Sequence, residues 1–325
     1  MRPLAATCLL VAALAWSAGS VCATEADEPR IMLERMSAAM SQMTYQGTFV
    51  YVQGDEVETM RITHVSDEHG VRERLVALSG APREMMRDST GLRWVLADDN
   101  SVFQDPGFSL SFFPDLPVDQ RGLAEESYSL TLGPAARIAG QQSRNLRVVP
   151  RDKYRYGYSL WLEENSDLLL KWELIDTNQK TIAKLMFTDI RIGSEVDVKE
   201  LKPAGYLKKY KTVESLLPSG RGTASPPLSW QPGTLPPGFR LTAHRYFGER
   251  GQGIYEHLLY SDGLAAVSVY IESIAPDSKP HTGMGRMGTT HAFSRTADNV
   301  LITVVGDVPA NTVRFIGDAV EMVSH

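Results

Sequence analysis

From Tyr45 onward apolar residues return at every second position, a period that suits pleated strands and excludes a helical fold for most of the first two hundred residues. YQGTFVYVQ, EVETMRITHVS, VRERLVALS, REMMRDS and GLRWVLA alternate in this way, with Gly-Asp, Asp-Glu-His-Gly, Ser-Gly-Ala-Pro and Ser-Thr-Gly between them. Short alternating runs divided by turn residues are the pattern of an antiparallel meander. RNLRVV, YGYSLWLEE, DLLLKWELID and KTIAKLMFTDIRI continue it. Ahead of them, EPRIMLERMSAAMSQM sets Met32, Met36, Met40 and Met43 at helical spacing. One helix and many long strands with tight hairpins predict a single large curved sheet, with Trp94, Trp161 and Trp172 on its concave face. Methionine packs adaptably, so the Met36 and Met40 stripe suits either ordinary core or a flexible apolar ligand.

Between the two strand sets, QDPGFSLSFFPDLP crowds Phe108, Leu110, Phe112, Phe113 and Leu116 into a segment bounded by prolines. Surface loops are ordinarily polar, so an apolar one covers something: the sheet's own core, or an apolar ligand pocket that it gates. Further on, KELKPAGYLKKYK carries Lys208, Lys209 and Lys211, a solvated face or a surface for an anionic partner. The next 27 residues hold six prolines and four glycines, a composition that resists regular structure and marks a joint. Beyond it FRLTAHRYF, GIYEHLLYS, LAAVSVYIE, MGTTHAFSR and NVLITVVGD read as strands. VPANTVRFIGDAVEMV closes the chain as a helix with Val313, Ile316, Val320 and Val323 on one stripe and Pro309 near its first turn. The class is α+β. A large curved antiparallel sheet with an N-terminal helix spans 24–200, a linker 201–238, and a smaller domain with an antiparallel sheet and C-terminal helix 239–325.

The first 23 residues read as an export signal, with Arg2, an apolar run from Leu4 to Trp16, and Val21-Cys22-Ala23 at a cleavage site. Val21 is too large for the lipoprotein pattern that Cys22 suggests, which favours release over anchoring. Cys8 and Cys22 leave with the signal, so the mature chain has no disulfide and holds itself together by burial. Without Arg2 there are 32 basic against 39 acidic groups, a net charge of −7, which argues against general nucleic-acid binding. No later segment reaches the roughly 18 apolar residues of a membrane span. A soluble periplasmic protein is expected.

HLLYSDGLAAVSVYIE places His257, Ser261 and Asp262 within six residues, as a hydrolase site might be imagined. Asp-Gly between alternating runs is first a hairpin signal, and no nucleophile elbow accompanies it. Gly283 to Gly288 matches G-x-G-x-x-G, yet a proline-containing loop precedes it and a strand follows, so the dinucleotide-binding context is missing and the segment reads as a flexible loop. His64 and His69, five apart with Asp67 and Glu68 between, read as an exposed turn rather than a metal site. No catalytic residues, metal or cofactor are expected, and the chain is not read as an enzyme.

RYGYSLWLEENSDLLLKWELID with FTDIRIG, and then PPGFRL, HLLYSDGLAAVSVYIE, GTTHAF and NVLITVVGDVPANTV, resemble the MucB/RseB family of periplasmic regulators, both domains in the same order. The resemblance implies a LolA/LolB-like first domain, a large open antiparallel half-barrel with helical elements. It also implies binding to the periplasmic part of a membrane-spanning anti-sigma factor (MucA/RseA type), which is shielded from regulated proteolysis until a lipid or lipopolysaccharide fragment releases it. The lipid hollow or gate is then assigned to Met36, Met40, Trp94, Phe108, Leu110, Phe112, Phe113, Trp161 and Trp172. The partner surface is assigned to the linker and second domain, with Lys208, Lys209, Lys211, Trp230, Tyr246, Tyr255 and His257. The competing reading is a periplasmic lipid or lipoprotein carrier. Self-association is left open.

Overall fold

The computed structural model describes residues 28–89, 91–96, 101–105, 126–193, 196–202, 211–214, 227–247, 255–275 and 277–323. Helix α1 (Glu28–Gln42) precedes β1 (Tyr45–Gln53), β2 (Glu56–Asp67), β3 (Gly70–Ala77), β4 (Arg83–Asp88), β5 (Gly91–Leu96) and β6 (Ser101–Asp105). Then come β7 (Tyr128–Ile138), β8 (Gln141–Pro150), β9 (Gly157–Glu163), β10 (Leu169–Ile175) and β11 (Thr181–Ile192), a short 3-10 turn at Val198–Leu201, and β12 (Lys211–Glu214). These strands form one twelve-stranded sheet in the order β12-β6-β5-β4-β3-β2-β1-β11-β10-β9-β8-β7. The two end strands, β12 and β7, are not paired with each other, so the sheet is open, as the family resemblance implies.

One face of this sheet holds the core. Leu160, Leu162, Leu185 and Phe187 are buried there beside Met32, Leu33, Met36 and Met40 of α1. The helix packs against β7 and β8, and Met43 accepts a hydrogen bond through its carbonyl from His64 Nδ1 at 2.9 Å. The methionine stripe thus plugs the sheet it precedes.

The tryptophans do not share a face. Trp172 stands opposite Leu160, whereas Trp161 stands opposite Lys171. A one-residue step reverses the face, so Trp161 lies on the outer side, with Lys171 Nζ 3.9 Å from its ring centroid. Trp161 is therefore on the opposite face from Trp172, half-buried against the edge of the first core, while Trp172 is buried within that core.

The smaller unit contains β13 (Trp230–Pro232), β14 (Arg240–Phe247), β15 (Tyr255–Ser261), β16 (Ala266–Ser273), β17 (Gly283–Met287), β18 (Thr290–Ala297), β19 (Val300–Gly306), α2 (Ala310–Ala319) and β20 (Val320–Met322). Its main sheet runs β14-β15-β16-β19-β18-β17, and β13 pairs with β20. Helix α2 covers β18 and β19, burying Val313 and Ile316 against Val267, Val269, Ile302 and Val304.

Two stretches read from sequence as linker carry structure. Trp230 is 4% exposed within the second core, because β13 is held to β20 by its ladder. Lys211–Glu214 pairs in parallel with Ser101–Gln104. Proline spacing signals where a helix is excluded, but it does not exclude short edge pairing. The segment 283–287, read as a flexible loop, is strand β17, paired with β18 from Gly283↔Ser294 to Met287↔Thr290.

Candidate functional site

The two units meet through a loop that is itself buried. The β15–β16 connection spans Asp262 to Ala265, with Ser261 opposite Ala266. Asp262 Oδ1 accepts from the amides of Leu264 (2.8 Å) and Ala265 (2.7 Å), and Ser261 Oγ accepts from the Gly263 amide at 3.0 Å. This is the turn chemistry that Asp-Gly favours. Asp262 Oδ2 turns instead to the first unit, where it accepts from Arg155 Nη1 at 2.5 Å and the Tyr128 hydroxyl at 3.0 Å. Arg155 and Asp262 are each fully buried. Burial, and then the neighbouring Asp262 carboxylate, hold the Tyr128 hydroxyl well above its usual pKa, so it stays a donor.

Arg155 is satisfied on every side. Its Nη2 donates to the Pro237 carbonyl at 2.6 Å, its Nε donates to Asp152 at 3.1 Å, and its guanidinium lies 5.2 Å from the ring centroids of both Tyr128 and Phe239. A buried ion pair is tolerated only when its remaining hydrogen-bonding groups are occupied in this way. Leu264, at the loop tip, packs inside the first unit's core. Thr312 Oγ1 of α2 donates to the Tyr154 carbonyl at 2.7 Å, and Phe315 lies tilted against Tyr154 with centroids 5.2 Å apart. The two units are therefore pinned to each other by burial.

A cleft of mixed polar and apolar lining also runs between the units. Its larger part, 720 Å³, is lined by Gln53, Asp55, Glu56, Lys180, Lys184 and Arg286 among others. A smaller part of 260 Å³ adds Tyr156, Asp176, His291 and Asn311, and both parts touch Ile182 and Arg286. Gln53 Nε2 donates to Thr289 Oγ1 at 3.0 Å, closing one end.

The hydrolase-like trio falls apart in space. His257 Nε2 bonds Ser268 Oγ at 3.0 Å and its ring stacks on Tyr270 at 4.5 Å, while Ser261 and Asp262 are occupied in the loop and seam. Burial, and then the Arg245 charge, lower the His257 pKa to about 4. His64 is buried and stacked on Tyr45 at 4.8 Å, away from the turn where His69 sits. Among the described residues no group of His, Cys, Asp and Glu could hold a metal ion, and no helix is long and apolar enough to cross a membrane.

Of the expected hollow, Met36, Met40 and Trp172 come together in the first core, and Trp94 stands opposite Met85 on β5. Phe108, Leu110, Phe112 and Phe113 lie outside the described residues, as do Lys208 and Lys209. Of the expected partner surface, Lys211 lies on β12, and Trp230 is core, so it is withdrawn from any surface. Tyr246 stands opposite the buried Glu256, His257 lies on the other face of that sheet, and Tyr255 is the first residue of β15. The seam was not read from sequence. Its only signal was an Asp-Gly turn flanked by Leu and Ala where exposed loops carry polar residues.

The residues 28–205 match the model of the MucB/RseB N-terminal domain, and 224–321 that of the MucB/RseB C-terminal domain. The sigma factor AlgU regulatory protein MucB of Pseudomonas aeruginosa is 32% identical over 304 residues, 90% of this chain and 90% of that protein. Two solved structures are similar across both units. MucB in complex with MucA(peri) has a TM-score of 0.69 at 26% identity, covering 93% of this chain and 100% of that one. The Pseudomonas aeruginosa MucA/MucB complex gives 0.71 at 26% identity, covering 92% and 100%. With both family domains present in order over nearly its whole length, this chain belongs to the MucB/RseB family.

Proposed function

We propose that this protein is a periplasmic negative regulator of an envelope-stress sigma factor. It holds the periplasmic part of a membrane-spanning anti-sigma factor of the MucA/RseA type and shields it from regulated proteolysis. A lipid or lipopolysaccharide fragment then releases it. One observation carries the reading: the likeness to MucB in complex with MucA(peri) runs through both units and 93% of the chain. The pinned seam supports it physically, since two units held in fixed relation offer one composite surface to a partner and lose little freedom when it binds.

The lipid half rests on the first unit. Met36, Met40 and Trp172 share one core, and methionine repacks more readily than branched side chains. A lipid releases the partner only through its differential affinity for the partner-free state. The carrier reading has less support, because among the described residues α1 fills the sheet's inner face and the described clefts lie between the units.

Calorimetric titration with the periplasmic segment of the MucA-type anti-sigma factor from the same organism tests the proposal. Saturable binding, reversed by adding lipopolysaccharide, is expected. Absence of binding would contradict it, and binding that lipid leaves unchanged would remove the release step.

A further inference from the structure

We infer that strand β17 is a docking edge, and that its occupant is an extended, carboxylate-bearing segment of the partner chain, added to the smaller sheet as a further strand. This rests on the partner-binding reading above. β17 is the last strand of its sheet, and all five of its residues are exposed. Exposed edges are ordinarily blunted by proline, bulges or several charges. Here the strand is Gly-Met-Gly-Arg-Met, with no shift of register against β18.

Only Gly288 and Thr289 separate Met287 from its partner Thr290. In a two-residue hairpin the flanking pair exchanges ladder hydrogen bonds. Gly283, Gly285 and Met287 therefore turn their backbone groups toward β18, and Met284 and Arg286 present theirs outward. A Cβ at Gly283 would meet nothing within 4 Å, so an incoming side chain has room beside it. Met284 is 45% and Met287 80% exposed. They stand on opposite faces of the strand, which gives an added strand an apolar contact on each.

Charge selects the occupant. In a chain of net charge −6, the stretch 278–288 carries Lys279, His281 and Arg286 and no carboxylate. Arg286 also lines the cleft with Lys180 and Lys184, and none of the three has an ion-pair partner among the described residues. Asp55 and Glu56 line that cleft as well, so the occupant's carboxylates are expected beside Arg286 rather than at the β1–β2 turn. A second copy fits less well. Antiparallel self-pairing about Gly285 would bring two Arg286 side chains onto neighbouring positions of one face, where like charges repel.

Hydrogen exchange on the wild-type protein, with and without the anti-sigma periplasmic segment at saturation, tests this. Residues 283–287 are expected to exchange at least about tenfold more slowly in the complex, and Arg286→Glu to weaken binding about tenfold. Binding without protection of 283–287 overturns the docking edge alone, whereas absence of binding overturns the partner reading along with it. Protection that grows with protein concentration in the absence of the segment would assign the edge to a second copy and overturn the inference.

Discussion

Arg155 Nη1 lies 2.5 Å from Asp262 Oδ2, with neither side chain exposed, although the two residues belong to different units. Removing one member of a buried pair leaves the other charge uncompensated, at a cost of about 3–5 kcal/mol. Asp262→Ala is expected to lower the urea midpoint and to split one unfolding transition into two. Replacing both members with well-packed apolar residues is expected to restore much of the loss. A single, unshifted transition in Asp262→Ala would mean that the pair does not join the units.

Leu264 belongs to the smaller unit by sequence and to the larger one by packing. Leu264→Ala is expected to cost about 2–5 kcal/mol, the range for a buried leucine whose cavity closes only in part. The loss should appear in the first unit, as faster hydrogen exchange in α1. It also follows that deleting the second unit bares the slot that Leu264 fills, so truncation confounds loss of a partner surface with loss of stability. Point substitutions at the seam avoid this.

The two tryptophans on β9 and β10 should answer differently. Trp172 is 8% exposed and faces the core, so Trp172→Ala is expected to cost about 3–5 kcal/mol. Trp161 is half-buried on the opposite face under Lys171, so Trp161→Ala is expected to cost less, about 1–2 kcal/mol from the cation–π contact and partial burial together. Equal losses in urea denaturation would contradict the assignment of faces.

These cases show what the sequence could carry. Alternation from Tyr45 fixes strands because each side chain's face follows from its position, and the helical spacing of Met32, Met36 and Met40 fixes α1 in the same local way. Grouping Trp161 with Trp172 failed because face depends on the register between strands, which a tight turn sets and composition does not. Trp230 was lost in a proline-rich stretch because its burial depends on pairing with β20, about 90 residues further on. Asp262 is half legible: its bonds to Leu264 and Ala265 are local, whereas its bond to Arg155 spans 107 residues and leaves no periodic trace.

His257 gives the molecule an acid sensitivity of known sign. Its pKa lies at about 4 in the fold against an ordinary 6.5, so the unfolded chain takes up the proton first. Its neutral form stabilises the fold above pH 6.5, and that contribution is lost as pH falls toward 4. Urea midpoints measured from pH 7 to pH 4 should therefore fall less steeply for His257→Gln than for wild type. Parallel curves would contradict this, because they would mean that the ring takes up its proton at the same pH folded and unfolded.

Protection of the partner is the most direct test of the whole account. The anti-sigma periplasmic segment is digested by a periplasmic site-one protease, alone and with a stoichiometric amount of this protein, and the intact fraction is followed with time. The account expects the segment to survive in the complex, and to be cut at the free rate when Asp262→Ala replaces wild type and the composite surface comes apart. Cleavage at the same rate with and without the wild-type protein would contradict it.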